Sequence, residues 1–200
     1  MKRMVTAIAL ISCLAVLPAC GSSSTPATAQ QKLSESFSVN LTMEMEDFTA
    51  EGTLTRYEEG MWSMYFDTPS EVAGVQLDFS GEDVTASYKG LSFSVPQAAL
   101  PARQLLLQCI QVLDEIAQNP DINGTKKDDR IVLEGELETG DYILSLNTDG
   151  TLSDFRMDNM GTSITFHEFQ TDVQFTTTTT TIPSLVVTTS QATATEAQAQ

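Results

Sequence analysis

From Phe37 to Met45 the chain alternates strictly. Phe37, Val39, Leu41, Met43 and Met45 are apolar, with Ser38, Asn40, Thr42 and Glu44 between them. A period of two predicts a strand with one buried and one wetted face. The pattern resumes with Phe48, Ala50 and Leu54, then with Trp62, Met64 and Phe66 after Glu58-Glu59-Gly60. Beyond Pro69, Val75, Leu77 and Phe79 predict a further strand, and Ser80-Gly81 a turn into Val84, Ala86 and Tyr88. Lys89-Gly90 then predicts a turn into Leu91, Phe93 and Val95. Short strands joined by short turns form an antiparallel meander.

The rhythm breaks at PARQLLLQCIQVLDEIAQNP, with Pro101 at a first helical position and Pro120 past the end. At 100° per residue, Leu105, Leu106, Cys109, Ile110, Val112, Leu113, Ile116 and Ala117 share one wide face, and Leu107 falls on the polar side for no evident reason. So wide a face suits a helix lying in a concave surface, with Cys109 as a buried small hydrophobe. Alternation then returns at Ile131, Leu133 and Leu137, at Tyr142, Leu144 and Leu146, at Phe155 and Met157, and at Ile164 and Phe166. The predicted class is α+β, mainly β: a curled antiparallel sheet, or half-barrel, with one main helix packed in its concave face.

The two ends differ from this. Lys2 and Arg3 precede an apolar run too short to span a bilayer comfortably, which reads as a signal peptide over residues 1–19. Leu17-Pro18-Ala19-Cys20 resembles the lipobox of bacterial lipoproteins, with Pro18 less usual in its place. That resemblance implies cleavage before Cys20 and diacylation of its sulfur, two acyl chains being enough for stable anchoring. Residues 20–32, beginning CGSSSTPATAQQ, are expected to be a flexible tether, residues 33–175 the half-barrel domain, and residues 176–200 a disordered Thr/Ala/Gln-rich tail. Within that tail, Ile182–Val187 offers an alternative as an added edge strand, and the threonines an alternative as sugar acceptors.

The formal net charge is −17, and it becomes −19 once Lys2 and Arg3 leave with the signal. Such an acidic chain is expected to have no nucleic-acid partner. Of its three cysteines, Cys13 leaves with the signal and Cys20 carries lipid, so Cys109 has no disulfide partner in the domain. The expected address is extracytoplasmic, on a cell membrane or the outer envelope, with the lipid anchor as the membrane contact.

Catalytic machinery is not evident. His167, the single histidine, sits on the wetted side of a predicted strand, and no glycine-rich phosphate loop is present. No His/Cys zinc cluster can be assembled, and no cofactor is expected. Ser145–Arg156 places Asn147, Asp149 and Gly150 like a calcium loop, but ends in Arg156 where a bidentate Glu is needed, so it reads as a hairpin turn. The chain is therefore expected not to be an enzyme. Methionine is more suggestive: Met43, Met45, Met61, Met64, Met157 and Met160 alternate with Trp62, Phe66 and similar residues. They either pack the core against the helix or line a site for a flexible apolar ligand. The candidate lining residues are Met43, Met45, Trp62, Met64, Phe66, Leu77 and Phe79.

The order of elements, with GMWSMYFDTPSEVAGVQLDFSGEDVTASYKG before the helix and DGTLSDFRMDNMGTSITFHEF near the end, resembles the LolA/LolB-like half-barrel lipoprotein superfamily over about Leu33 to Phe169. The resemblance implies a curled sheet closed by helices that holds acyl chains in its concavity. Two departures matter: the arginine that assists acyl-chain release in the soluble carrier has no matched position here, and this chain carries an anchor motif. Two functions follow as expectations. One is an anchored protein binding an acyl chain or other hydrophobic ligand in the half-barrel. The other is a structural or protein-interaction lipoprotein whose half-barrel is filled by its own helix, its protein partner unknown.

Overall fold

The computed structural model describes residues 27–99, 105–119 and 124–173. The signal peptide, Cys20, Pro101, Pro120 and the tail from 176 onward lie outside the described residues. Eleven strands form one sheet in the order β6-β5-β4-β3-β2-β1-β11-β10-β9-β8-β7, every neighbour antiparallel.

The first meander runs outward from the centre: β1 Phe37–Met45, β2 Phe48–Glu58, β3 Met61–Thr68, β4 Gln76–Ser80, β5 Asp83–Tyr88 and β6 Leu91–Pro96. The chain then passes through α2, Leu105–Gln118, to the opposite edge. The second meander returns to the centre: β7 Thr125–Lys127, β8 Arg130–Leu137, β9 Gly140–Asn147, β10 Leu152–Met157 and β11 Thr162–Thr171, which pairs with β1. The topology therefore carries α2 between the two edges of one sheet. Its 14 residues span roughly 21 Å at 1.5 Å per residue.

The alternation of β1 survives in the fold, with Phe37, Val39, Leu41 and Met43 buried and the intervening residues partly wet. Register shifts between Ser38 and Asn40, Arg56 and Glu58, and Leu152 and Asp154 bend the sheet, because an extra residue on one strand increases local twist. At the first of these, Glu168 adopts φ 49°, and the displaced Phe169 stacks on Phe37 with ring centroids 4.7 Å apart. α2 buries Leu105, Leu106, Gln108, Cys109, Ile110, Val112, Leu113 and Ile116 against the concave face. Burial pushes the Cys109 thiol above its ordinary pKa, so it behaves as an inert apolar group.

One boundary differs from expectation. The tether is expected to run to Lys32, yet the chain is helical from Ala27 to Ser34 as α1. Its polar composition hides two apolar anchors, Ala29 and Leu33, both fully buried. A side chain such as Leu33 contributes roughly 1.5–3 kcal/mol when taken from water to the core. α1 packs on α2 and on the β9–β10 turn. Gly150 in that turn has φ +87°, and a Cβ there would sit 2.5 Å from Ala29 Cα. Only glycine satisfies both the left-handed backbone and the close approach.

Asp149 completes this junction. Its Oδ1 accepts from the Thr151 N–H at 3.0 Å and the Thr151 hydroxyl at 2.7 Å, and Lys32 of α1 lies 3.4 Å from Oδ2. These donors, Thr151 first, hold the Asp149 carboxyl below its ordinary pKa. A lowered folded-state pKa contributes stability above the unfolded value that is lost as pH falls through the folded one. Asp149→Asn is therefore expected to lower the unfolding free energy from urea denaturation at neutral pH by roughly a few tenths of a kcal/mol, the group being so exposed. The difference from wild type should vanish in acid below the aspartate range.

Candidate functional site

α2 covers only part of the concave face. Its flank that looks toward β3 and β4 leaves a cleft of about 500 Å³, lined by Trp62 and Phe79 from the sheet, by Leu107, Ile110 and Asp114 from the helix, and by Gln97 beyond β6. The lining is mixed: Trp62, Phe79, Leu107 and Ile110 give it an apolar wall, and Gln97, Gln111, Asp114, Glu115 and Gln118 surround that wall with polar and charged groups.

A partly buried polar clasp borders the cleft. Asp114 Oδ2 accepts from the Trp62 indole N–H at 2.9 Å and the Gly60 N–H at 3.2 Å. Asp114 Oδ1 accepts from Arg56 Nε at 3.4 Å. Arg56 is only 3 % exposed, and its Nη1 donates to the Ser34 and Glu35 carbonyls at 2.8 and 3.3 Å. Its guanidinium also lies 5.7 Å from the centre of the Trp62 ring, close enough for a cation–π contact. Arg56 on β2 thus joins the end of α1, the carboxylate of α2 and the aromatic wall on β3. Arg56 and Trp62 are the buried members of this set, and these bonds satisfy donors that burial would otherwise leave without partners.

The predicted lining residues divide. Trp62 and Phe79 reach the cleft wall. Met43, Met64 and Phe66 are buried in the core and Met45 and Leu77 pack half-buried against it, so these five face inward without lining the cleft. Leu107, which has no evident reason in the sequence for its place on the polar side of the helix, lines the cleft. Gln108, also on that side by periodicity, is buried because its amide donates to the Thr139 hydroxyl of the β8–β9 turn. Sequence pattern does not single out Asp114 or Arg56, since their pairing spans 58 residues of chain.

Beyond the cleft no described element covers the concave face. The register sets Met64 beside Leu77, Ala86 and Phe93 in one row, and Phe79 beside Val84 and Val95 in the next. Exposure rises outward along the first row, from buried Met64, through half-buried Leu77 and Ala86, to Phe93 at 66 %. Leu91 at the strand start is 77 % exposed. These β6 residues keep the predicted alternation without a core to enter.

A second, slightly larger hollow of about 570 Å³ is lined by Tyr142 and Ile143 together with the carboxylates of Glu134, Glu136, Asp141 and Asp158. His167 is exposed on the outer face, 3.3 Å from the Thr42 hydroxyl. Ser145–Arg156 is a β-hairpin segment, as its turn residues predict. Among the described residues no group of His, Cys, Asp or Glu is placed to hold a metal ion, and no helix is long and apolar enough to cross a membrane.

Truncating Asp114 leaves the buried Arg56 Nε and the Trp62 indole N–H without their acceptor, at a cost of about 1–3 kcal/mol. Asp114→Ala should therefore lower unfolding free energy by about that much in urea denaturation. The double replacement Arg56→Met with Asp114→Leu should recover much of the loss. A double variant no more stable than Asp114→Ala would contradict the clasp.

No family model matches the sequence, and no curated protein matches it. Solved structures do. An uncharacterised conserved protein from Thermus thermophilus superposes with a TM-score of 0.50 at 11 % identity, covering 74 % of this chain and 86 % of that one. A LolA superfamily protein from Nitrosomonas europaea gives 0.38 at 10 % identity, over 74 % and 94 % of the two chains. An outer membrane lipoprotein-sorting protein domain from Vibrio parahaemolyticus, described as putative, gives 0.41 at 13 % identity, over 76 % and 93 %. What this chain shares with the Thermus thermophilus structure is its fold, here a curled antiparallel sheet with a helix in its concavity.

Proposed function

We propose that the protein is a non-enzymatic, membrane-anchored lipoprotein that binds an acyl chain or another elongated apolar molecule on the concave face of its half-barrel. The observation that carries the reading is the continuity of apolar surface from the Trp62–Phe79–Leu107 cleft, across Leu77 and Ala86, to Phe93 at the free edge. Burying such a strip against a ligand removes apolar area from water at about 25 cal/mol per Å². Among the described residues, half of the sheet has α2 to cover it and this half has no such cover. The names of the LolA superfamily protein and the lipoprotein-sorting domain are in keeping with this reading. The anchor would be acylated Cys20, with the cell envelope as its place.

The alternative, a half-barrel filled by its own helix, draws on the complete burial of Val112, Cys109 and Leu113 beneath α2. The two readings differ at Trp62, the chain's single tryptophan, which lies in the cleft wall. A brominated fatty acid held in the cleft should quench its fluorescence saturably, and Leu107→Asp should weaken that binding at least roughly tenfold, because a carboxylate in the wall must be desolvated. Fluorescence unchanged up to the solubility limit of the fatty acid would favour the filled half-barrel. Anchoring is tested separately: Cys20→Ser should move the protein out of the acylated, detergent-phase fraction, and unchanged partitioning would contradict lipidation at that sulfur.

A further inference from the structure

Among the described residues the sheet has two free edges of different character. β7 is short, with exposed Lys126 and Lys127, and lysines on an edge discourage pairing with another strand. β6 is twice as long and reads Leu-Ser-Phe-Ser-Val-Pro, without a charge. Among the described residues it pairs only with β5, and its Leu91 and Phe93 are the most exposed large apolar residues. An uncharged strand whose edge and apolar face are both open is a template for another extended strand.

The register specifies which groups that edge offers. The β5–β6 hairpin turns through Lys89 and Gly90, both with positive φ, as a two-residue loop of the kind that twists with its strands. Such a turn is closed by the Tyr88–Leu91 pair, and hydrogen-bonded pairs alternate from there. Leu91, Phe93 and Val95 therefore direct their backbone groups inward to β5, while Ser92 and Ser94 direct theirs outward to the free edge. The strand is also symmetric in chemistry about Phe93, reading apolar, serine, Phe, serine, apolar from Leu91 to Val95.

We propose that β6 is a self-association edge that pairs antiparallel with β6 of a second copy about a two-fold axis at Phe93. That register sets Ser92 against Ser94 of the partner subunit, so the outward backbone groups form hydrogen-bonded pairs. It sets Phe93 against itself and Leu91 against Val95 of the partner subunit, as close non-hydrogen-bonded pairs in which side chains meet. A two-fold axis requires a self-complementary patch, and a strand with the same chemistry in both directions supplies one. The formal charge of −17 on each chain opposes the approach, yet none of it lies on β6. Repulsion between the acidic bodies is screened by salt, so association strengthens as ionic strength rises. The pairing needs no ligand in the cleft and stands apart from the reading above.

The test uses the full chain in phosphatidylcholine vesicles. Leu91→Cys chains and Val95→Cys chains are reconstituted separately and together, oxidised, and compared with wild type on non-reducing gels. The expected result is a covalent dimer in the mixture, well above either variant alone, because the register opposes residue 91 to residue 95. Ser94→Pro, which removes an outward N–H without breaking the β5–β6 ladder, should lower that yield at least roughly tenfold while circular dichroism stays native. No covalent dimer, equal yields in mixed and unmixed samples, or a yield indifferent to Ser94→Pro would each overturn the proposal.

Discussion

The structure depends on one partly buried carboxylate. Asp114 stands on the helix that must cross the concave face, and it receives the Trp62 indole, the Gly60 amide and the Arg56 guanidinium together. Arg56 is then held from its other side by the carbonyls at the end of α1. Ions withdrawn from water are costly unless their hydrogen-bonding capacity is met, and here it is met by groups from four different elements. This clasp sets the position of α2 over the sheet, and so determines which part of the concave face is covered.

Asymmetry follows from that placement. Toward β8–β11 the helix and the second meander share a continuous core, including Leu133, Leu144, Leu146, Phe155 and Ile164. Toward β4–β6 the same helix leaves a cleft and then an open apolar surface. A core side chain gains its stabilisation by leaving water, and Leu91 and Phe93 have not done so. A chain with 27 acidic residues that nevertheless keeps Leu91–Pro96 free of charge presents a surface suited to contact with something apolar. The cleft and the free edge are neighbouring parts of that surface, one concave and one linear.

The sheet was legible because alternation is a local property. Phe37–Met45 and Trp62–Phe66 each announce a two-faced strand within a few residues, and α2 shows its wide apolar face in the same way. α1 was not legible: it is anchored by Ala29 and Leu33 alone among its described side chains, set in a polar segment like the linker before it. Periodicity also cannot say whether a face is covered. Met43 and Phe93 obey the same alternation, yet one is in the core and the other in solvent. The clasp lay furthest from view, since Arg56 and Asp114 meet only once the meander has folded. Leu107 was the one local hint, an apolar residue out of place on a polar flank, and its place is the cleft.

The central claim is that the uncovered concave strip takes an apolar ligand, and native mass spectrometry of the gently purified protein tests it most directly. The account predicts an adduct of lipid mass that stays bound in the native spectrum and is lost on denaturation. A clean apoprotein mass, unchanged after incubation with phospholipids and fatty acids, would contradict it.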